Sequence, residues 1–192
     1  MVDNTSIQQA VAILNKGGIV VFPTDTAFGV GCRIDSVKAI NRLFKIRNRP
    51  VTQPLPILVA SCEQSLAYFV HPSDIVRHLM QTYWPGALTI VDYCKKDLIL
   101  SPIRGGGETV GIRFPNHPVP QMLIDGVRVP IVGPSANFHG KPTPFTFASL
   151  DQEFIKLVDF VVPGECKGKL SSTVVDCTTV PYTIIRQGAV EL

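Results

Sequence analysis

The feature that most restricts the fold lies in the first 31 residues, where a helical pattern leads into a buried strand and then a polar loop. Ile7, Ala10, Val11 and Leu14 recur at helical spacing, and Thr5 or Ser6 is placed to cap the start of this helix. Two glycines at 17 and 18 end the helix, and residues 19–22 form a fully apolar run typical of a buried strand. A chain that alternates such elements is expected to fold as an α/β domain.

The remaining pattern continues this alternation of helices and strands. A second amphipathic helix follows Asp35 and Ser36, with four residues assigned to its inner face: Val37, Ile40, Leu43 and Phe44. Further helices are expected between residues 62 and 83, after His117, and near 149–157. Strands are expected at residues 55–59, 87–91, 109–113, 130–132, 160–162, 173–176 and 182–186. We therefore predict a single domain over residues 1–192, with a twisted mixed β-sheet flanked by helices.

Composition narrows the class of protein. Hydrophobic residues make up 45% of the chain and charged residues 17%, which is typical of a folded globular domain. The net charge of +3 is too small to indicate nucleic-acid binding by itself. Five scattered cysteines without a CxxC pair argue against a disulfide framework or a zinc site. Without a secretory signal or a long apolar segment, we expect a cytoplasmic protein with no membrane association.

Two polar loops follow predicted strands and are candidate ligand sites. The first, residues 23–31, combines hydroxyls, an acid, an aromatic ring and two glycines; alternatively, it is a turn whose Thr and Asp side chains bond their own backbone. The second runs from 133 to 144, where Ser135, Asn137 and Thr143 offer hydroxyl and amide groups to a phosphate or ribose. Neither loop has Walker A or GxGxxG spacing, so any nucleotide site is of an unconventional kind.

A basic segment has no acidic residue between positions 35 and 63. Lys38, Arg42 and Lys45 share the outer face of the second helix, where a solvated surface is the expected role. Arg47 and Arg49 instead fall at the helix end before a proline, where guanidinium groups can fork onto phosphate oxygens. This placement favours a polyphosphate ligand.

No residue stands out as a catalytic nucleophile. The histidines show no HExxH spacing, and no GxSxG elbow precedes a helix. The late segments 171–176 and 184–188 place hydroxyls and an arginine on predicted strands, which simple alternation of side chains also explains. The chain therefore favours chemistry driven by positioning and electrostatics, as in phosphoryl or adenylyl transfer.

Seven motifs, in this order and spacing, resemble the YrdC/TsaC family of threonylcarbamoyl-AMP synthases in its short, single-domain type. They are PTDTAFGVG (residues 23–31), RNRP (47–50), WPGALT (84–89), VGIRFPNHP (110–118), PSAN (134–137), STVVD (172–176) and IRQG (185–188). The resemblance runs from about residue 17 to 190. It implies an α/β fold around a positively charged cavity.

The resemblance also implies an activity and a set of site residues. Members of the family condense L-threonine, bicarbonate and ATP into threonylcarbamoyl-AMP and pyrophosphate. Partner proteins then transfer the threonylcarbamoyl group to an adenosine beside the anticodon of tRNA. By resemblance, threonine would be bound by Thr26, Arg113 and Ser172. The nucleotide would be bound by Arg47, Arg49, Gln53, Thr109, Ser135, Asn137, Thr143 and Arg186, with Mg²⁺ carried by ATP and Arg47 and Arg49 acting in catalysis.

This chain departs from the family pattern at two positions. Arg47 stands where a lysine is usual, and Leu58 stands where many members carry a histidine. Two other functions fit parts of the sequence. One is a non-catalytic module that binds tRNA or double-stranded RNA, against which the modest charge and the missing aromatic motif argue. The other is a related carbamoyl-adenylate enzyme that uses carbamoyl phosphate.

Overall fold

A computed structural model describes residues 3–192. The helices are α1 (Asn4–Asn15), α2 (Val37–Arg47), α3 (Cys62–Leu66), α4 (Asp74–Tyr83), α5 (Pro118–Val127) and α6 (Gln152–Ile155), with a 3-10 turn at Phe147–Ser149. All the predicted helices are present. None of the helices within residues 3–192 combines the length and apolar character needed to cross a bilayer.

Two details at the starts of the first helices differ from expectation. The cap of α1 is Asp3, whose carboxylate accepts hydrogen bonds from the main-chain N–H groups of Thr5 and Ser6; the prediction that one of these two caps the helix was wrong. Ser36 caps α2 as its position suggested. Val37 is 53% exposed rather than on the inner face, because the first turn of α2 points partly into solvent.

Within residues 3–192, nine strands form two mixed sheets. The strands are β1 (Val20–Phe22), β2 (Gly29–Gly31), β3 (Ile57–Leu58), β4 (Leu88–Tyr93), β5 (Thr109–Arg113), β6 (Ile131–Val132), β7 (Phe160–Val161), β8 (Thr173–Asp176) and β9 (Thr183–Arg186). The smaller sheet has the order β2-β1-β7, and the larger has the order β6-β3-β5-β4-β8-β9. Both contain parallel and antiparallel pairs. The predicted α/β fold with mixed β-structure and flanking helices is confirmed.

Strand β2 is the one strand that the sequence pattern did not reveal. Its residues Gly29–Gly31 fall inside the loop predicted for positions 23–31, and two glycines in three residues obscure its strand character. The glycines are needed because the chains approach closely: a Cβ at Gly31 would lie 2.1 Å from the carbonyl oxygen of Val132. This approach joins the two sheets, and the N–H of Val30 donates to the carbonyl of Pro134 at 2.9 Å.

Candidate functional site

A polar cavity of about 150 Å³ lies where the two sheets meet. Its walls come from the loop between β1 and β2, the end of α2, the starts of β3, β4 and β8, the last residues of β5 and β9, and the loop after β6. The lining residues are Thr24, Thr26, Ala27, Phe28, Gly29, Arg47, Arg49, Pro56, Leu58, Thr89, Arg113, Gly133, Pro134, Ser135, Thr143, Ser171, Ser172 and Arg186. The cavity therefore collects residues that are up to 162 positions apart in the chain, from 24 to 186.

One end of the cavity is built around Arg113. Its Nη1 donates to the hydroxyl of Thr26 at 2.8 Å, and its Nε donates to the carbonyl of Gly86 at 3.0 Å. The Thr26 hydroxyl also lies 3.0 Å from that of Thr24, which donates to the carbonyl of Ala27 at 2.7 Å. Hydroxyls beside a held guanidinium are suited to bind a small molecule that carries both a carboxylate and a hydroxyl group.

Asp25 holds Arg113 from behind this end of the cavity. Its carboxylate forms an ion pair with Nη2 of Arg113, and both side chains are only 8% exposed. Burial lowers the pKa of the Arg113 guanidinium, and the Asp25 charge opposes that effect. Sequence reasoning noted the acid in the loop but not its partner, because the two residues are 88 positions apart.

Two more arginines, Arg47 and Arg49, lie at and just after the end of α2. Arg47 is 4% exposed, and its Nε donates to the main-chain carbonyl of Asn137 at 3.2 Å. Burial, followed by the charge of Arg49, lowers the pKa of Arg47 to about 10, so its guanidinium is charged at neutral pH. Arg49 is held by its own loop, through the carbonyls of Gln53 at 3.3 Å and Pro54 at 3.0 Å.

The fourth arginine lies at the end of the last strand. Arg186 donates through Nε and Nη2 to the main-chain carbonyl of Ser172, at 3.1 and 2.8 Å. Its Nη2 also lies 3.1 Å from the Ser172 hydroxyl, which in turn lies 2.9 Å from the hydroxyl of Thr89. Strand β4, the residue before β8 and strand β9 thus each contribute one polar group to a connected row.

The charged side chains that line this cavity are all positive. Among the described residues that line it, four are arginines and none is acidic. Arg113 alone of the four has a carboxylate within ion-pair distance in the part of the chain that the structure describes. Burial lowers the pKa of each guanidinium, which means that the free protein tolerates these charges at a cost in free energy. A ligand with several negative charges would offset that cost.

Most of the predicted site residues meet in this cavity. Thr26, Arg47, Arg49, Arg113, Ser135, Thr143, Ser172 and Arg186 are all in its lining. Gln53, Thr109 and Asn137 are not. Gln53 contributes its main-chain carbonyl to Arg49, whereas Thr109 starts the strand that Arg113 ends, roughly 13 Å away at the usual rise per residue. The binding roles assigned to all these residues remain predictions.

The outer basic face of α2 takes no part in the cavity. Lys38 and Lys45 are exposed, as expected for a solvated surface. Arg42 instead forms an ion pair of 2.6 Å with Asp159, which also accepts from the main-chain N–H of Ile19 at 2.7 Å. That arginine therefore fastens α2 to the segment before β7.

Residues 164–168, which sequence reasoning did not single out, cover the loop between β1 and β2. Lys167 donates its N–H to the carbonyl of Thr24 at 3.3 Å, and His117 contacts the carbonyl of Glu165 at 3.2 Å. A Cβ at Gly168 would lie 2.7 Å from the carbonyl of Asp25. The only sequence signal for this contact is the pair of glycines at 164 and 168.

Within residues 3–192, no group of three or more His, Cys, Asp and Glu side chains is arranged to hold a metal ion. The five cysteines are free and dispersed through the fold.

The fold and the cavity define an α/β protein with an arginine-lined cavity that is suited to an anionic ligand. The chain matches the Sua5/YciO/YrdC family, described as "Telomere recombination", over residues 12–188, and it belongs to that family. The family resemblance of the sequence motifs is thereby confirmed.

Individual relatives agree with this assignment. The chain is 32% identical over 192 residues to the threonylcarbamoyl-AMP synthase of Pyrococcus abyssi, covering 100% of this chain but 56% of that protein. It is 30% identical over 186 residues to the threonylcarbamoyl-AMP synthase of Photobacterium profundum, covering 95% of this chain and 99% of that protein.

A solved structure extends the comparison to three dimensions. The structure of P. abyssi Sua5 complexed with L-threonine superimposes with a TM-score of 0.90 at 33% identity, covering 95% of this chain and 54% of that one. The chain thus spans little more than half the length of the Pyrococcus relative.

Proposed function

We propose that the protein is an L-threonylcarbamoyladenylate synthase, a nucleotidyltransferase that converts L-threonine, bicarbonate or CO₂, and ATP into threonylcarbamoyl-AMP and pyrophosphate. The observation that carries this proposal is the four-arginine cavity, which has hydroxyl groups at one end and no acidic side chain in its lining. Relatives named for this activity, at about 30% identity over nearly the whole chain, support it.

In the proposed complex, threonine occupies the end of the cavity at Arg113. A free Nη hydrogen of Arg113 would meet its carboxylate, and the hydroxyls of Thr26 and Ser172 would bond its polar groups. The amine of threonine then attacks the carbon of CO₂, loses a proton and becomes a carbamate. Because Arg113 is already anchored to Gly86, Asp25 and Thr26, its guanidinium is oriented before the substrate arrives.

The triphosphate would occupy the part of the cavity lined by the other three arginines. Arg47, Arg49 and Arg186 would contact its phosphates, and Ser135 and Thr143 would bond phosphate or ribose oxygens. The carbamate oxygen attacks the α-phosphorus, the bond to the bridging oxygen breaks, and pyrophosphate leaves with the electron pair. The guanidinium groups offset the negative charge that develops on the phosphates, with Mg²⁺ carried by ATP adding to this effect.

The same proposal covers the wider setting of the reaction. The adenylate would pass to partner proteins that place the threonylcarbamoyl group on an adenosine beside the anticodon of tRNA. We propose that this happens in the cytoplasm, which is consistent with five free cysteines in the structure.

The test is pyrophosphate release from ATP by the purified protein, with threonine and bicarbonate added singly and together. We expect release only when both are present, and a loss of at least 100-fold, or about 2.7 kcal/mol of transition-state stabilisation, in Arg49→Ala. Arg77→Ala is the matched control, because it removes an exposed cation of α4 that lies outside the cavity. Near-normal release from Arg49→Ala would contradict the role assigned to this residue.

The RNA-binding alternative makes a different prediction for the same protein. A non-catalytic module would release no pyrophosphate under any combination of substrates, and it would bind tRNA with a steep dependence on salt. Of the four cavity cations, Arg47 and Arg113 are buried, Arg49 is half-buried and Arg186 is exposed. Few of them are therefore spread over a surface, which is unfavourable for binding many phosphates of a duplex.

A further inference from the structure

Two buried polar atoms close to the cavity have no hydrogen-bond partner. They are Nη1 of Arg47 and Oδ1 of Asn137, and they are the only such side-chain atoms within residues 3–192. An unsatisfied buried polar group costs roughly 1–3 kcal/mol, so the unpaired nitrogen of Arg47, a residue that lines the cavity, calls for a functional explanation.

The side-chain amide of Asn137 donates its hydrogen bonds to the turn that follows it. Its Nδ2 donates to the carbonyl of Phe138 at 2.9 Å and to that of Lys141 at 2.7 Å. The side chain is buried and is absent from the lining of the cavity. In this position it closes a turn, residues 137–141, and does not form part of the cavity wall.

The same turn holds Arg47 at two points. The main-chain carbonyl of Asn137 accepts from Nε of Arg47 at 3.2 Å, and the N–H of His139 donates to the main-chain carbonyl of Arg47 at 2.7 Å. Both ends of Arg47 are therefore fixed, while Nε is the one guanidinium nitrogen with a hydrogen bond among the described residues. The outer nitrogens are left for another group.

We propose that Asn137 is a positioning residue: its amide closes the 137–141 turn, and this turn orients the Arg47 guanidinium so that its outer nitrogens meet a phosphate oxygen of the nucleotide. Asn137 itself does not contact the nucleotide. The inference rests on the proposed function for the nature of the anion. It also gives a physical meaning to arginine at position 47, because a lysine side chain has no donor at the position of Nε and could not be held in this way.

The proposal is tested by removing the Nε donor of Arg47, because the effect of Asn137 on phosphate binding should depend on that donor. Pyrophosphate binding is measured by titration calorimetry for the wild type, Asn137→Ala, Arg47→Lys and the double variant. We expect Asn137→Ala to weaken binding roughly tenfold, which corresponds to about 1.4 kcal/mol, and to have less than a threefold effect in the Arg47→Lys background. We expect the affinity of Asn137→Ala for threonine to equal that of the wild type. Lys141→Ala is the control, since it keeps the main-chain carbonyl that Asn137 uses and removes only an exposed side chain.

Equal weakening by Asn137→Ala in both backgrounds would overturn the proposal, because it would mean direct contact between Asn137 and the ligand. Asn137→Ser retains one donor for the turn and is expected to fall between the wild type and Asn137→Ala.

A measurement without ligand separates this inference from the proposed function. In ¹⁵N-edited NMR spectra, the Nε–H signal that disappears in Arg47→Lys is expected to exchange slowly with water in the wild type and rapidly in Asn137→Ala. If the wild type binds no pyrophosphate but shows this difference, the proposed function fails and the positioning role stands. Identical exchange rates in the two proteins would refute the positioning role.

Discussion

The ion pair between Asp25 and Arg113 makes the stability of the fold depend on the cavity. Both side chains are 8% exposed, so Asp25→Asn would leave the charge of Arg113 buried without a counter-charge. Removing one partner of a buried pair typically costs 3–5 kcal/mol. For a chain of 192 residues, about 2–4 °C per kcal/mol gives an expected fall in Tm of roughly 6–20 °C.

Thermal unfolding would measure the fall in Tm, and urea unfolding would measure the loss of free energy of unfolding; both can be followed through the fluorescence of the single tryptophan, Trp84. The informative companion is the double variant Asp25→Asn with Arg113→Met, which removes the buried charge altogether. We expect it to be more stable than Asp25→Asn alone and to have lost threonine binding. Glu153→Gln is the control, because it breaks an exposed ion pair with Lys156 and should leave the urea midpoint unchanged.

The electrostatic reasoning fails if Asp25→Asn unfolds at the same urea concentration as the wild type. It also fails if the double variant is less stable than the single one, since the cost would then come from lost packing and hydrogen bonds rather than from an uncompensated charge.

Three further predictions concern other parts of the molecule. Burial lowers the pKa of His117 below its ordinary 6.5, so the wild type should lose stability as the pH falls through 6.5. His117→Asn keeps a cap for α5 and should lose less stability when urea midpoints are compared from pH 7 to pH 5.5. Gly31→Ala should lower the free energy of unfolding by about 1–3 kcal/mol because its Cβ would strike a carbonyl of β6, whereas Gly107→Ala, with no contact under 3.3 Å, should change it by less than about 0.5 kcal/mol. A thiol reagent at pH 8 should label at most Cys62 and Cys166 in the folded protein and all five cysteines in urea, because the other three are buried; rapid labelling of more than two would contradict the packing.

Local patterns predicted most elements of the fold correctly, and the failures have physical causes. Helices such as α2 were predicted well because their period, their caps and a following proline all agree. Strand β2, which pairs with β1, was missed because two of its three residues are glycines. A Cβ at Gly31 would strike a carbonyl of β6, and no periodicity records such a close approach. The division of the strands into two sheets depends on long-range pairings such as that of β1 with β7, which a single sequence does not encode locally.

The candidate site shows the same limit more sharply. The order of the motifs predicted eight of the residues that line the cavity. It did not reveal Asp25 as the partner of Arg113, or the turn of Asn137 as the support of Arg47, because these contacts join positions 88 and 90 residues apart. Sequence patterns of this kind identify the groups that could face a ligand, whereas the groups that hold them become apparent only in three dimensions.

The location of the cavity at the meeting line of two sheets has a thermodynamic consequence. Thr26 belongs to the loop of the small sheet, whereas Arg113 and Arg186 end strands of the large one. A ligand that contacts all three would cross-link the sheets, so its binding would raise the free energy of unfolding of the whole protein. At a ligand concentration of 100 times its Kd, this increase amounts to about 2.7 kcal/mol. Substrate occupancy would then slow amide exchange in both sheets together, including strands that never touch the ligand.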